Sequence, residues 1–425
     1  MFMRDWGEIR IANKVFHSGC GVCLFGFVVS AGVSLIAQDW PQFLGPDRNG
    51  IYEGPALSRE WSGESPRELW RRSVGAGFAG PIVVEGRVLL FHRVAGEEVL
   101  EAFMADTGEP LWRYAYPTTY RDDFGFDEGP RSSPVVDAGR VFTFGAQGQL
   151  HAIDLETGSG LWHVDTREQF RFSKAFFGAA GTPLVEDGRV LANIGGQEGA
   201  GIVAFSASTG DVLWTSTNEE ASYSSPVAAT FGGVRHALFF TRDNVVALDP
   251  ATGQVRFQRS WRARIRASVN AATPLVVDDH IFISAQYGTG AGVFRIAGLN
   301  LEEVWTSDDV LSNHYATSVY HDGYLYGYHG RQEYGPSFRA VAFESGEVAW
   351  DTGPFGAGSV TVAGELLVLM RESGELVLAN ASPEGFVPVA TAQLLPPTVR
   401  AYPAIVDGHF FVRNNDTLLA VDLTP

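Results

Sequence analysis

Arginine and aromatic side chains recur just ahead of a series of short apolar stretches. The residues of this set are Phe78, Arg131, Phe177, Tyr223, Asn270, His314, Tyr315 and Arg400. A guanidinium group binds carboxylates and other anions through paired N–H donors, and aromatic faces stack on cations and flat groups. These residue types predict a site for an anionic or glycan-like ligand if the fold brings them together. The alternative is that the charged groups pair with one another and with the acidic loop DDFGFDEG, residues 122–129.

Other patterns that carry chemistry are weak in this chain. Both cysteines, Cys20 and Cys23, lie near the N-terminus, so residues 38–425 offer no disulfide and no thiolate. The stretch from Gly75 to Gly80 fits G-x-G-x-x-G, but a strand-like segment follows it where a dinucleotide site needs a helix. The ten histidines are scattered, and the acidic loop lacks the EF-hand spacing. We therefore predict no catalytic set and no metal site.

Composition limits the class of protein. The chain has 425 residues, of which 45% are hydrophobic and 19% charged, as in a folded protein with a large core. The net charge of −18 excludes the broad basic surface by which proteins bind nucleic acids. We expect no nucleic-acid partner.

The first 37 residues differ from the rest. Arg4, Arg10 and Lys14 precede the apolar run CGVCLFGFVVSAGVSLIA, which is typical of a secretory signal peptide cleaved near Ala37. An uncleaved membrane anchor is the alternative. We expect export to the periplasm or the extracellular space, with the choice between them open, and no membrane span after cleavage. Residues 38–60, which we call the leader, would then begin the mature chain.

A repeated motif indicates the elements that position the predicted site. Residues 151–162 read HAIDLETGSGLW, and looser copies occur at 101–112, 202–214, 245–257 and 339–350. Each copy follows a small residue or proline and an apolar run broken by a turn, which predicts consecutive β-hairpins. The run starts lie about 40–53 residues apart, the period of four-stranded propeller blades.

Eight such units span the rest of the chain. Their predicted ranges are 79–116, 131–166, 179–217, 222–261, 270–309, 314–353, 355–394 and 400–425. The last unit stops before its outer strand, and ELWRRSVG, residues 68–75, has an outer strand without preceding hairpins. Pairing the two completes the eighth blade and leaves no open sheet edge. The sequence thus predicts an all-β, eight-bladed β-propeller over residues 61–425, closed by an N-terminal strand.

The motif Ala-x-Asp-x-x-Thr-Gly-x-x-x-Trp resembles the repeat of the pyrroloquinoline-quinone-like propeller family. Ala152, Asp154, Thr157, Gly158 and Trp162 match it fully, and other blades match in part. Asp154 suits a role in capping the Thr-Gly turn, and the large flat tryptophans suit packing between blades. Those tryptophans are Trp70, Trp112, Trp162, Trp214, Trp305 and Trp350.

This resemblance implies one of two functions. The family includes quinoprotein alcohol dehydrogenases, which use the quinone with calcium, and BamB, which binds no quinone. The absence of adjacent cysteines and of a recognisable acid–amide–acid set favours a non-enzymatic binding or scaffold module without a cofactor, acting as a monomer on an envelope protein or on an anionic or glycan ligand. The alternative is a dehydrogenase acting on an alcohol or sugar with pyrroloquinoline quinone and calcium.

Overall fold

The structure is a computed structural model that describes residues 38–425 except Ser173, Arg264, Arg266 and Ala267. The predicted signal peptide, residues 1–37, lies outside the described residues. The described chain contains almost no helix and forms eight sheets, each built on four antiparallel strands. The predicted eight-bladed propeller is confirmed.

Two strands precede blade 1 in the chain, and blades 1 to 4 follow them. The early strands are β1 (Ile51–Tyr52) and β2 (Arg67–Ser73). Blade 1 comprises β3 (Ile82–Val84), β4 (Arg87–Val94), β5 (Glu97–Met104) and β6 (Pro110–Pro117). Blade 2 comprises β7 (Val135–Asp137), β8 (Arg140–Phe144), β9 (Gln149–Asp154) and β10 (Gly160–Asp165), followed by the one-turn helix α1 (Thr166–Phe170). Blade 3 comprises β11 (Leu184–Glu186), β12 (Arg189–Asn193), β13 (Ile202–Ser206) and β14 (Val212–Ser216). Blade 4 comprises β15 (Val227–Phe231), β16 (Val234–Phe240), β17 (Asn244–Leu248) and β18 (Val255–Ser260).

The remaining four blades complete the ring. Blade 5 comprises β19 (Leu275–Val277), β20 (His280–Ala285), β21 (Gly290–Ala297) and β22 (Asn300–Ser307). Blade 6 comprises β23 (Val319–His321), β24 (Tyr324–His329), a 3-10 turn (Gln332–Tyr334), β25 (Ser337–Ala342) and β26 (Val348–Pro354). Blade 7 comprises β27 (Gly358–Ala363), β28 (Leu366–Arg371), β29 (Glu375–Asn380) and β30 (Pro388–Gln393). Blade 8 comprises β31 (Ala404–Val406), β32 (His409–Arg413), β33 (Thr417–Asp422) and the early strand β2.

The ring closes as the sequence predicts. Strand β2 pairs antiparallel with β33, with Trp70 opposite Ala420 and Ser73 opposite Thr417. First strands of neighbouring blades contact one another, as β7 and β15 both do with β11, so these strands are innermost. The residues that enter the innermost strands therefore gather around the central axis.

Local sequence explains the hairpins. The turn between β3 and β4 has positive φ at both Glu85 and Gly86, as a type I′ turn requires. In the Thr-Gly turn of blade 2, Asp154 Oδ1 accepts hydrogen bonds from the Thr157 amide at 2.8 Å and its hydroxyl at 2.7 Å. These bonds hold the pKa of Asp154 below its ordinary value.

The core lies between the faces of adjacent blades, and the repeat tryptophans join those blades at the rim. Phe142 and Phe144 of blade 2, for example, share one buried cluster with Val190 and Phe205 of blade 3. The indole N–H of Trp112 donates to the Leu155 carbonyl of the next blade at 3.0 Å. The same bond recurs from the other five tryptophans of the set, to Ala105, Ala207, Pro250, Phe343 and Ser382.

The glycine of the Thr-Gly turn makes room for the tryptophan of the preceding blade. Gly158 has a φ of +71°, and a Cβ at this position would lie 2.6 Å from the ring of Trp112. Both the left-handed backbone and the close ring exclude a side chain here. The repeat therefore holds neighbouring blades together. The aspartate shapes the turn, the glycine leaves room for the indole ring, and the tryptophan donates a hydrogen bond to the next blade.

The leader contributes a strand to the sheet of blade 7. Strand β1 pairs in parallel with β27, with Ile51 opposite Val362. Because β27 is the innermost strand of blade 7, β1 lies on its channel side. The leader therefore enters the centre of the ring.

Candidate functional site

A cavity of about 230 Å³ lies where the innermost strands begin, and we call it the funnel pocket. Seven of the eight residues predicted as site residues line it: Phe78, Arg131, Phe177, Tyr223, His314, Tyr315 and Arg400. They come from blades 1, 2, 3, 4, 6 and 8, and each lies about four to seven positions before the start of an innermost strand. The propeller thus brings together residues that are up to 322 positions apart, from 78 to 400.

Asn270 is the predicted residue that does not line the pocket. It is buried, and its side-chain amide donates to the carbonyls of Thr241 at 2.8 Å, Arg242 at 3.1 Å and Trp261 at 3.1 Å. These carbonyls belong to blade 4 and the segment that follows it. Asn270 ties blade 5 to blade 4, while its neighbours Val269 and Ala271 contact the pocket.

Half of the residues that line the pocket carry aromatic rings. Besides the predicted residues, the wall contains Phe43 from the leader, Phe126, Tyr287 and Tyr402. Phe126 and Tyr287 lie in loops that the sequence marks only as acidic or glycine-rich, so their direction toward the axis could not be foreseen. Tyr402 follows Arg400 by two residues and could have been included on strand alternation.

Arg131 and Arg400 both contact the ring of Phe78. The guanidinium carbon of Arg131 is 5.6 Å from the centre of the Phe78 ring, and that of Arg400 is 5.2 Å from it. Arg131 also lies 5.5 Å from the Phe177 ring, and Arg400 lies 5.3 Å from Phe126. Such cation–π contacts hold the two guanidinium groups against the aromatic wall of the pocket.

The two arginines differ in their acidic partners. Arg400 Nε donates to Glu372 Oε1 at 2.5 Å, and the Tyr315 hydroxyl donates to the same oxygen at 2.7 Å. Arg131 donates to the Asp127 carbonyl at 3.1 Å, and its nearest carboxylate oxygen, on Asp122, is 3.8 Å away. That Asp122 oxygen already accepts the amides of residues 126 and 127. Arg400 is thus neutralised by a direct ion pair, whereas Arg131 keeps more of its positive field at the pocket.

His314 forms part of a separate polar group on the wall. Its Nε2 lies 2.8 Å from the Tyr287 hydroxyl, and its Nδ1 lies 4.0 Å from the Glu333 carboxylate. Burial lowers the pKa of His314 below its ordinary value. The imidazole is therefore neutral at pH 7 and presents a flat ring to the pocket.

The described residues were also searched for membrane-spanning helices and for clusters of metal-binding side chains. Among residues 38–425 as described, no helix is long and apolar enough to cross a membrane. Within the same part of the chain, no group of three or more histidine, cysteine, aspartate or glutamate side chains is placed to hold a metal ion.

A family model described as outer membrane protein assembly factor BamB matches residues 95–352, more than half of the chain. The chain belongs to this family. Its fold is shared by BamB from Moraxella catarrhalis, with a TM-score of 0.60, 14% identity, and coverage of 84% of this chain and 97% of that one. It is also shared by the quinohemoprotein alcohol dehydrogenase of Comamonas testosteroni, with a TM-score of 0.64, 15% identity, and coverage of 90% and 80%. At these identities the likeness shows the propeller fold alone.

Curated relatives of this BamB-family chain match only a part of it. The quinohemoprotein alcohol dehydrogenase ADH-IIG of Pseudomonas putida is 31% identical over 140 residues, which is 32% of this chain and 19% of the dehydrogenase. A similar enzyme of Comamonas testosteroni is 29% identical over 140 residues. The chain thus spans about a fifth of the length of the curated relatives it matches.

Proposed function

We propose that the chain is an exported, non-catalytic binding module of the cell envelope, and that its funnel pocket holds an anionic ligand bearing an aromatic or apolar group. The observation that carries this proposal is that Arg131 and Arg400 both contact the Phe78 ring in a pocket lined by many other rings. Rings offer apolar and stacking contacts, and an incompletely neutralised guanidinium offers the anchor for a carboxylate.

Arg131 is the anchor in this proposal. Its hydrogen-bond acceptors are main-chain carbonyls, of Asp127 at 3.1 Å and of Gly129 at 3.5 Å. A ligand carboxylate would therefore add a charge-assisted bond without displacing a tight ion pair. The net charge of −18 makes this local positive site more selective, because the molecule as a whole repels anions that lack a close partner.

The family match supports a binding role over a catalytic one. Its description is that of an outer membrane protein assembly factor. A peptide segment with an aromatic side chain and a carboxylate would meet both features of the pocket. A glycan with a carboxylate is the other ligand of this chemistry, and the experiment below separates the two.

A quinone-dependent dehydrogenase is the second candidate, because the curated relatives are quinohemoprotein alcohol dehydrogenases. The side chains of the pocket do not fit a quinone bound together with calcium. Within the part of the chain that the structure describes, the pocket wall contains neither aspartate nor tryptophan. The glutamates at the site are engaged: Glu372 pairs with Arg400 at 2.5 Å, and Glu333 with Arg331 at 2.9 Å. Among the described residues, both glutamates at the site are thus held by arginines, and neither is free to bind calcium or to remove a proton from an alcohol.

The test is capture from the native envelope with residues 38–425 as bait. Arg131→Ala should reduce the recovered ligand or partner at least about tenfold, because a charge-assisted bond contributes about 1.5–3 kcal/mol. Arg189→Ala is the matched control, since that side chain lies outside the pocket and bonds only the Asp187 carbonyl of its own turn. Arg400→Ala is a second variant, and it is expected to cost stability as well because it leaves Glu372 unpaired.

Identification of the captured material decides the class of ligand, with peptide and glycan distinguished by sensitivity to protease and to glycosidase. Equal capture by wild type and Arg131→Ala would place the site elsewhere. The dehydrogenase alternative would be established by dye reduction that depends on an added alcohol or sugar after incubation with pyrroloquinoline quinone and calcium.

A further inference from the structure

The leader crosses the central channel and contacts its walls on several sides. The Trp40 amide donates to the Val83 carbonyl of blade 1 at 2.8 Å, and the Val136 amide of blade 2 donates to the Pro41 carbonyl at 2.9 Å. Elsewhere in the ring, the Val362 amide of blade 7 donates to the Gly50 carbonyl at 2.8 Å. A segment of about a dozen residues thus makes hydrogen bonds with blades 1 and 2 and with blade 7, which is adjacent to neither of them.

Arg48 anchors the middle of this segment. Its side chain is 2% exposed, and Nη1 donates to the carbonyls of Pro226 at 2.7 Å and Thr182 at 3.2 Å. Nη2 donates to the Pro183 carbonyl, and Nε donates to Gln42 Oε1 at 2.7 Å. All of these acceptors are uncharged oxygens. Burial lowers the pKa of Arg48 to about 9, so the group remains a cation at pH 7.

Arg48 also lies where one cavity along the channel ends and another begins. Along blade 3, Thr182 lines the funnel pocket, whereas residues 184–186 line a second cavity of about 400 Å³. Along blade 4, Ser225 lines the funnel pocket, and residues 227–230 line the second cavity. The carbonyls that Arg48 binds belong to the residues at the change from one cavity to the other.

The leader itself lines both cavities. Phe43 forms part of the funnel pocket and packs edge-on against Tyr402, with ring centres 4.9 Å apart. Gln42 and residues 46–49 line the second cavity. The same short segment is therefore the floor of one cavity and the roof of the other.

We propose that residues 38–52 are a plug that seals the propeller channel, with Arg48 as its lock on the carbonyls of blades 3 and 4. The plug makes the funnel pocket a blind cup with Phe43 at its base. It is a peptide ligand that the propeller carries on its own chain, bound by parallel strand pairing at blade 7 and by one cation at blades 3 and 4. The proposal does not depend on what the funnel pocket binds.

The first test is hydrogen exchange of residues 38–425 at the amides of Val83, Val136 and Val362, which are bonded to the plug. Arg48→Met should speed exchange at these amides at least tenfold, because it leaves three buried carbonyls without their donor. Arg48→Lys keeps a cation, so its exchange at these amides should be faster than in the wild type and slower than in Arg48→Met. Arg189→Met, at the half-buried start of β12 and outside both cavities, should behave as wild type, and exchange in the outer strands should not change.

The second test cuts the plug from the folded chain. Residues 53–56 are exposed, so a protease site inserted between Gly54 and Pro55 is accessible after folding. The cut plug should stay bound to the propeller through gel filtration when Arg48 is present, and should leave at least tenfold faster with Arg48→Met.

Loss of the wild-type fragment at the rate of the Met variant would overturn the proposal, as would unchanged exchange in Arg48→Met. If Arg48→Met does not fold, the cleavable chain with Arg48 still decides: retention supports the plug, and immediate release contradicts it.

Discussion

Replacing Trp70 by alanine should open the ring at its closing strand. Trp70 lies on β2, is 7% exposed, and donates its indole N–H to the Ala105 carbonyl at 2.6 Å. Its ring also lies against Gly108, where a Cβ would come within 2.6 Å of it. Truncation of a buried tryptophan costs about 3–5 kcal/mol, which includes the cavity left behind. We expect Trp70→Ala to lower the free energy of unfolding by this amount.

Trp112→Ala provides the comparison, since Trp112 makes the same type of bond inside the ring, to Leu155 at 3.0 Å. Trp70→Phe should cost less, about 1 kcal/mol, because it removes the N–H donor and keeps most of the apolar contact. The variants are compared by urea unfolding followed by fluorescence and by hydrogen exchange along β33.

Only the Trp70 variant should speed exchange in β33, because β2 is joined to its blade through β33 rather than through a hairpin. A cost below about 1 kcal/mol, or equal exchange of β33 in both alanine variants, would show that this strand does not hold the ring closed.

Three further predictions test other parts of the molecule. Gly158→Ala should cost at least about 1–2 kcal/mol in urea unfolding, because it imposes a left-handed φ on alanine and displaces Trp112. Burial lowers the pKa of His151 to about 3 from its ordinary 6.5, so the unfolded chain takes up a proton first and stability falls as the pH drops below 6.5. At pH 5.5 this loss is about 1.4 kcal/mol, and His151→Gln should flatten that part of the stability curve. N-terminal sequencing of protein from the cell envelope should give a start near Gln38, whereas an intact Met1 in the cytoplasm would contradict export.

The sequence was sufficient for the propeller because the fold repeats one set of local signals. Turn pairs such as Glu85-Gly86, the Thr-Gly turn and the following tryptophan each fix a hairpin or a contact between blades by local geometry. Ring closure also followed from counting, since one outer strand was missing at the C-terminus and one was unaccounted for near residue 70.

The sequence predicted which residues of the site lie near the axis, because the backbone path fixes that position, but it did not predict which way each side chain turns. Strand entry placed Arg131, Tyr223 and Arg400 at the axis, because the innermost strands converge there. Asn270 occupies the same kind of position, yet its amide satisfies three carbonyls of the preceding blade. The repeat period carries no information about such side-chain choices.

The plug was not predicted, because its contacts are spread over the ring. WPQFLGPDRNGI shows apolar residues and glycine turns but no hairpin partner in the neighbouring sequence. Its partners are carbonyls and amides far along the chain, from Val83 to the Pro226 carbonyl and the Val362 amide. Main-chain groups of this kind leave no residue signature in the sequence.

The most direct test of the proposed binding function is a calorimetric titration of residues 38–425 with N-acetyl-tryptophan and with its amide. The two probes have the same ring and differ in the carboxylate, so their comparison isolates the anion anchor. The account predicts that the acid binds at least about tenfold more tightly than the amide, and that Arg131→Ala abolishes this difference while leaving the melting temperature unchanged. Equal binding of acid and amide to the wild-type protein, or a preference that survives Arg131→Ala, would contradict it.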